Sequence, residues 1–287
     1  MTRLCAVVLA AGEGTRLRPL TDTRPKALCP VGNVALLDRA LIRLARHGLS
    51  GPDQVAVNAC YLADQVVEHV RGRAYCSVEP GPPALGTAGA VAKLRAWIDD
   101  RAVLVINADA YLDPDQPDAA DLAPLWNGWT GETVRVLGVL AGAAGDGRPA
   151  EFGAARFAGA SLLPASSVAS LPPGRSELVR EVWRPAERQD RLEVVRYQGF
   201  YLDTGTVGDY LAANLHAARD GSLVAGDAVV SGQVTHSVIG AGARVDGSVV
   251  RSVVLPHAVV GPEERLVDAV RDGSDLTLTP ALTGPSG

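Results

Sequence analysis

The feature that most constrains the fold is the repeated pairing of a short β-branched run with a helical pattern. "LCAVVL" at 4, "VAVN" at 55, "YCSV" at 75, "VLVIN" at 103 and "VRVLGVL" at 134 read as strands. Between the first two, "LLDRALIRLARHG" sets Leu37, Leu41, Leu44 and Ala45 on one face and stops at Gly48, as a helix with a glycine C-cap does. "LADQVVEHV" and "TAGAVAKLRAWI" carry the same pattern. Strand, helix and strand in series imply right-handed crossovers, and so an α/β fold: a Rossmann-like, mostly parallel sheet with helices on both faces. In such sheets ligands sit at the carboxyl ends of the strands.

The first strand runs into "LAAGEGTRLRPLTDTRPKAL", where Gly12 and Gly14 are followed by Arg16, Arg18, Arg24 and Lys26. A P-loop would close on Gly-Lys-Ser/Thr, and a dinucleotide fingerprint needs a third glycine where Leu17 stands. Neither fits. What remains is a turn whose backbone N–H groups approach phosphates closely, with Arg16 just beyond and Lys26 returning after a proline-stiffened segment. Two cations framing such a cradle suit a triphosphate, one for the departing pyrophosphate and one for the phosphoryl group under attack. The 287-residue chain has a formal net charge of −5, so this cluster is local and does not indicate a nucleic-acid binder. The apolar N-terminal run is too short to span a membrane and shows no cleavage site; a cytoplasmic protein without a membrane partner is expected. Cys5, Cys29, Cys60 and Cys76 form no CxxC pair and read as reduced thiols, mostly packed.

Taken in order, "LAAGEGTRLRPLTDTRPKALCPV", "EPGPPALGTAGAV", "VLVINADAYL" and "YQGFYLDTGTVGDYLAAN" resemble the signature of the sugar-1-phosphate nucleotidylyltransferases, or NDP-sugar pyrophosphorylases. The resemblance covers most of residues 3 to 215. It implies an NTP and a sugar 1-phosphate as substrates, Mg²⁺ as cofactor, and NDP-sugar and pyrophosphate as products. It implies that Arg16 holds the leaving pyrophosphate, that Lys26 stabilises the α-phosphoryl group, and that Asp109 and Asp203 bind the metal. Nucleotide contacts are implied for Leu9, Ala10, Ala11, Gly12, Gly14, Thr15, Leu85, Gly86, Thr87 and Asn107. Sugar-phosphate contacts are implied for Glu79, Gly153 and Gly159. Asp113, Asp115 and Asp118 follow in a loop and are expected to face solvent.

Many relatives carry a central Glu-Lys-Pro segment whose lysine binds the sugar phosphate. Here "EFGAARFAGASLL" stands instead and Lys93 is the only lysine after Lys26, which leaves Arg156 as the local cation for that task. "LGTAGA" is similar to guanylyl-transferring members, which makes GTP with mannose 1-phosphate the first expectation. The missing lysine and "VNACYLADQV" are similar to uridylyltransferases, with an N-acetylated hexosamine or muramic acid 1-phosphate. A reading from another class is a non-catalytic subunit that senses NDP-sugar.

The domains expected are a catalytic domain over 1–221, a β-helix-like segment over 222–275 and a frayed tail over 276–287. Residues 224 to 261 repeat aliphatic pairs between Gly, Ala, Ser and His, similar to about two hexapeptide coils of a left-handed β-helix. Such a tail suits homo-oligomer packing or regulation. Acyltransferase activity there would need more coils, and His236 and His257 read as turn residues.

Overall fold

The computed structural model describes residues 3–114, 121–142 and 149–280. In chain order the first elements are β1 (Leu4–Leu9), a hairpin of β2 (Pro30–Val31) and β3 (Val34–Ala35), α1 (Leu36–Arg46), β4 (Val55–Ala59), α2 (Ala63–Val70) and β5 (Tyr75–Val78). Next come α3 (Gly86–Lys93), α4 (Arg95–Ile98), β6 (Ala102–Asn107), β7 (Ala110–Pro114), β8 (Val134–Leu140) and β9 (Ala155–Leu163). They are followed by α5 (Ala165–Ala169), α6 (Arg184–Arg188), β10 (Leu192–Arg196), β11 (Gly199–Asp203) and α7 (Val207–Ala217). Packing divides the chain into two units, one of Met1–Glu13, Arg24–Leu28 and Leu37–Leu202, the other of Gly14–Thr23, Cys29–Leu36 and Asp203–Gly287.

The first unit is built on a seven-stranded sheet in the order β10-β8-β9-β6-β1-β4-β5. All pairs are parallel except those of β9, which runs against both β6 and β8. The α/β expectation holds, with helices on both faces. Alternation along each strand makes two cores. Ala6, Val8, Leu104 and Ile106 pack with Leu37 and Leu44 of α1 and Val66 of α2. Cys5, Val7, Val103 and Val105 pack on the other side with Val91 of α3, Ile98 of α4 and Val168 of α5. Separately, β7 pairs with β11 in a two-stranded ladder. Asp113, expected in a solvent-facing loop, is a half-buried residue of β7, while Asp115 and Asp118 lie outside the described residues.

The second unit contains the coil. Three parallel ladders run through Leu223–Val224, Val229–Val230 and Gln233–Thr235 and their successors, which is the three-faced arrangement expected of a β-helix of hexapeptide type. Leu223 pairs with Val238 and Val238 with Val253, so a coil takes 15 residues; the step from Val253 to Val270 takes 17. Turning is done by residues in the left-handed region, where His236, Arg251 and Asp268 (φ 45°, 44° and 50°) stand at one corner and Gly242 and His257 (φ 63° and 62°) at another, while Gly273 (φ 61°) lies in the turn before the antiparallel Leu276–Leu278. Both histidines are therefore turn residues, as expected. The coil is longer than the two turns read from the sequence, and Leu276–Leu278, expected to fray, forms a strand antiparallel to Val270–Asp272. Residues 281–287 lie outside the described residues.

This unit takes in Asp203–Gly287 together with the segments at 14–23 and 29–36. The cause is a set of long-range bonds to the hairpin: the Gly32 N–H donates to Asn214 Oδ1 (2.9 Å), Tyr210 Oη donates to the Pro30 carbonyl, and Asn33 Nδ2 donates to the Ile239 carbonyl (2.9 Å). Among the described residues no helix is long and apolar enough to cross a membrane.

Candidate active site

Register sets the floor of a cleft in the first unit. Leu9, the last residue of β1, pairs with Asn58 on β4 and with Asn107 on β6, so three parallel strands end side by side and two amides flank the start of the glycine turn. The cleft holds about 700 Å³ of empty space, including its open mouth, and is lined by Leu9 through Gly12, Lys26, Asn107, Asp109, Gly86 and Thr87. Asn58 and Glu177 also line it. Among the described residues, no atom beyond its chain neighbours lies within 4 Å of where a Cβ on Gly12 would stand.

Lys26 opens a single 3-10 turn, Lys26–Leu28, and is only 7% exposed. Its Nζ donates to Asp109 Oδ2 at 2.5 Å. The Asp109 side chain is 35% exposed, so its carboxylate is reached from the cleft while Lys26 holds it. Asp109 thus gives this buried side chain the hydrogen-bonding partner that burial of a polar group requires. Burial, aided by the Glu79 and Glu13 carboxylates, pushes the nearby Cys60 thiol up, which disfavours a thiolate nucleophile beside the cleft. Among the described residues no group of three or more His, Cys, Asp or Glu side chains is arranged to hold a metal by itself.

Arg16, Gly14, Thr15 and Asp203 belong to the second unit. There Gly14, at φ 64°, precedes the 3-10 turn Thr15–Leu17, and Arg16 Nη2 stands 3.9 Å from Asp203 Oδ2. The guanidinium lies against Gly205, where a Cβ would come within 2.5 Å of Nη2.

Several expected ligand contacts have other duties here. Glu79 is 5% exposed and does not line the cleft: Asn58 Nδ2 donates to its Oε1 and the Leu85 N–H to its Oε2, both at 2.7 Å. Because Asn58 Oδ1 in turn accepts from the Ala10 N–H at 2.7 Å, Glu79 braces the glycine turn, and Leu85 belongs to that brace. Arg156 is 6% exposed with its guanidinium 5.5 Å from the Tyr201 ring centre, away from the cleft lining. Gly159, at φ +78°, is required by packing, since a Cβ would meet that of Ala110 at 2.3 Å. Gly153, at φ +59°, has open space around it and does not line the cleft.

Two polar lining residues, Asn58 and Glu177, escaped the sequence reading. Asn58 lies one residue before the end of β4 and Asn107 at the end of β6, and an amide closing an apolar run was the available signal. Glu177 gave none, because it lies where periodicity fails and meets the cleft only through folding.

An open, mostly parallel α/β sheet with its cleft at the carboxyl ends of central strands defines the class. Residues 5–172, more than half the chain, match the nucleotidyl transferase family, and the chain belongs to that family. It is 39% identical over 112 residues to an N-acetylmuramate alpha-1-phosphate uridylyltransferase of Caulobacter vibrioides, covering 37% of this chain and 45% of that one. It is 46% identical over 66 residues to a Sulfolobus acidocaldarius protein named "Putative mannose-1-phosphate guanyltransferase", covering 23% of this chain and 18% of that one. The chain thus spans less than half the length of these curated relatives. A solved structure from Bacillus anthracis, described as a "Putative Glucose-1-Phosphate Thymidylyltransferase", shares the fold with a TM-score of 0.63 at 18% identity, covering 75% of this chain and 96% of that one.

Proposed function

We propose that the protein is a sugar-1-phosphate nucleotidylyltransferase, which joins an NTP to a sugar 1-phosphate and releases pyrophosphate. The observation that carries this reading is the buried Lys26–Asp109 pair on the wall of a cleft that begins at the glycine turn. A triphosphate seated on the turn's N–H groups needs a cation fixed beside the phosphorus under attack. Lys26 is fixed in advance by Asp109, so it need not reorganise as charge moves. In the step itself, an oxygen of the sugar 1-phosphate forms a bond to Pα while the bond from Pα to the pyrophosphate oxygen breaks, and that oxygen leaves with the electron pair. Positioning contributes more here than covalent chemistry. Arg16 is assigned to the leaving pyrophosphate on the family resemblance.

The resemblance also implies Mg²⁺, which neutralises phosphate charge when bound. Magnesium takes one or two carboxylates and fills its shell with phosphate oxygens and water. Asp109, partly exposed to the cleft, fits that demand and would hold the ion; a metal role for Asp203 rests on the family resemblance alone.

The longer curated match favours UTP with N-acetylmuramate 1-phosphate. The shorter match at higher identity favours GTP with mannose 1-phosphate, which is kept as the second reading. The test is the native chain with Mg²⁺ and pyrophosphatase against a matrix of NTPs and sugar 1-phosphates, read by phosphate release. Turnover with one pair is expected, and Lys26→Ala is expected to lower its kcat about 10²–10³-fold, as for loss of one fixed electrostatic contact. Tight nucleotide binding without turnover of any pair would overturn this reading in favour of an NDP-sugar sensor.

A further inference from the structure

The N-terminus of α3 would ordinarily attract an anion, because its first N–H groups lack partners and its dipole is positive there. In this cleft those groups are already taken. The Thr87 N–H donates to Glu177 Oε2 at 3.0 Å and Thr87 Oγ1 donates to the same oxygen at 2.7 Å. The Ser176 carbonyl accepts from the Ala88 and Gly89 N–H groups at 3.0 and 3.2 Å. The contact is close: a Cβ on Gly86, at φ +75°, would stand 2.5 Å from the Ser176 carbonyl oxygen and 2.6 Å from Glu177 Oε1. Glu177 nevertheless lines the cleft, as Lys26 and Asp109 do.

From this geometry we infer that Glu177 is a specificity-determining residue that sets which way round a ligand lies. Its carboxylate fills the anion-attracting end of α3 and presents an acceptor to the cleft. Phosphate is repelled from that wall and left to the glycine turn and Lys26. The neutral part of the ligand faces Glu177 with a donor, a hydroxyl or an N–H, because an ionised carboxylate accepts hydrogen bonds and donates none. That donor belongs either to the nucleoside or to the sugar. The inference rests on the nucleotidylyltransferase reading for its substrates, but the exclusion of phosphate does not.

Glu177→Gln keeps the shape and an oxygen for Thr87, and removes the charge. With the turned-over pair it should raise the KM of one substrate at least tenfold while kcat stays within threefold. The substrate affected tells nucleoside from sugar. A helix-capping role alone would leave both KM values within twofold, and that result would overturn the inference. The second arm needs no turnover: calorimetric titration with inorganic tripolyphosphate should find one binding equivalent for the native chain and a further one for Glu177→Ala, which removes the carboxylate and frees the Thr87 N–H and hydroxyl. Equal stoichiometry in the two proteins would overturn the exclusion of phosphate. If the native chain turns over no pair, the catalytic reading fails while this arm still decides the role of Glu177.

Discussion

Glu79 shows how residue chemistry and residue position separate. A glutamate near a glycine-rich motif invites a ligand role, yet its two oxygens accept from Asn58 and Leu85 and the chain of bonds continues to the Ala10 N–H. Glu79→Gln must turn an amide NH₂ toward one of those donors. It is expected to lose about 1–3 kcal/mol, the cost of a buried donor left unsatisfied, measured by urea unfolding. Lys26 was legible as a cation returning to the glycine turn, and Asp109 through the family resemblance. Their mutual bond was not, since it joins residues 83 positions apart. Cys5 makes a further prediction. Burial pushes its thiol up to about 11, against a smaller opposing pull from Arg101, so it should resist alkylation at pH 8 until the protein unfolds.

Among the elements, β1, β4, β5, β6 and β8 and the helices between the first four could be read from period alone, since apolar residues must face a core on each side of the sheet, whereas the parallel β10 was not. The antiparallel β9 could not, because direction is a property of the connection and not of the strand. Gly159 on β9 illustrates the consequence. Read as a sugar-side contact, it is the point where β9 passes Ala110, one residue beyond Asp109. Gly159→Ala would need a left-handed conformation and a Cβ 2.3 Å from another, so a loss of about 2–4 kcal/mol is expected in thermal or denaturant unfolding. The coil shows a similar limit. Its small turn residues announced a β-helix, but its 15-residue period emerges from the ladder registers.

At the scale of the whole molecule, stability depends on a charge network away from the cleft. Asp121 accepts from Arg43 and lies 3.0 Å from His47 Nε2, while Arg43 also donates to the Leu112 carbonyl of β7. Burial works to raise the Asp121 carboxyl, but Arg43 and the hydrogen bonds from His47 and Arg43 outweigh it and hold it below its ordinary value. A depressed carboxyl stabilises fully above its unfolded pKa, about 4, and the contribution fades as pH falls through the folded value. Unfolding free energy should therefore drop as pH falls below about 4. Asp121→Asn should flatten that part of the curve and cost about 3 kcal/mol at neutral pH, where it leaves Arg43 buried without its carboxylate.

The sequence by itself determined the sheet class, the glycine turn and the residue types offered to phosphate, because these follow from local periodicity and from side-chain chemistry. Tertiary structure alone decided which candidates line the cleft and which brace it. It also assigned Arg16 and Asp203 to the unit that carries the coil and placed Glu177 against α3. Such pairings join residues far apart along the chain, and hydrogen-bond geometry and packing settle them only after the chain has folded.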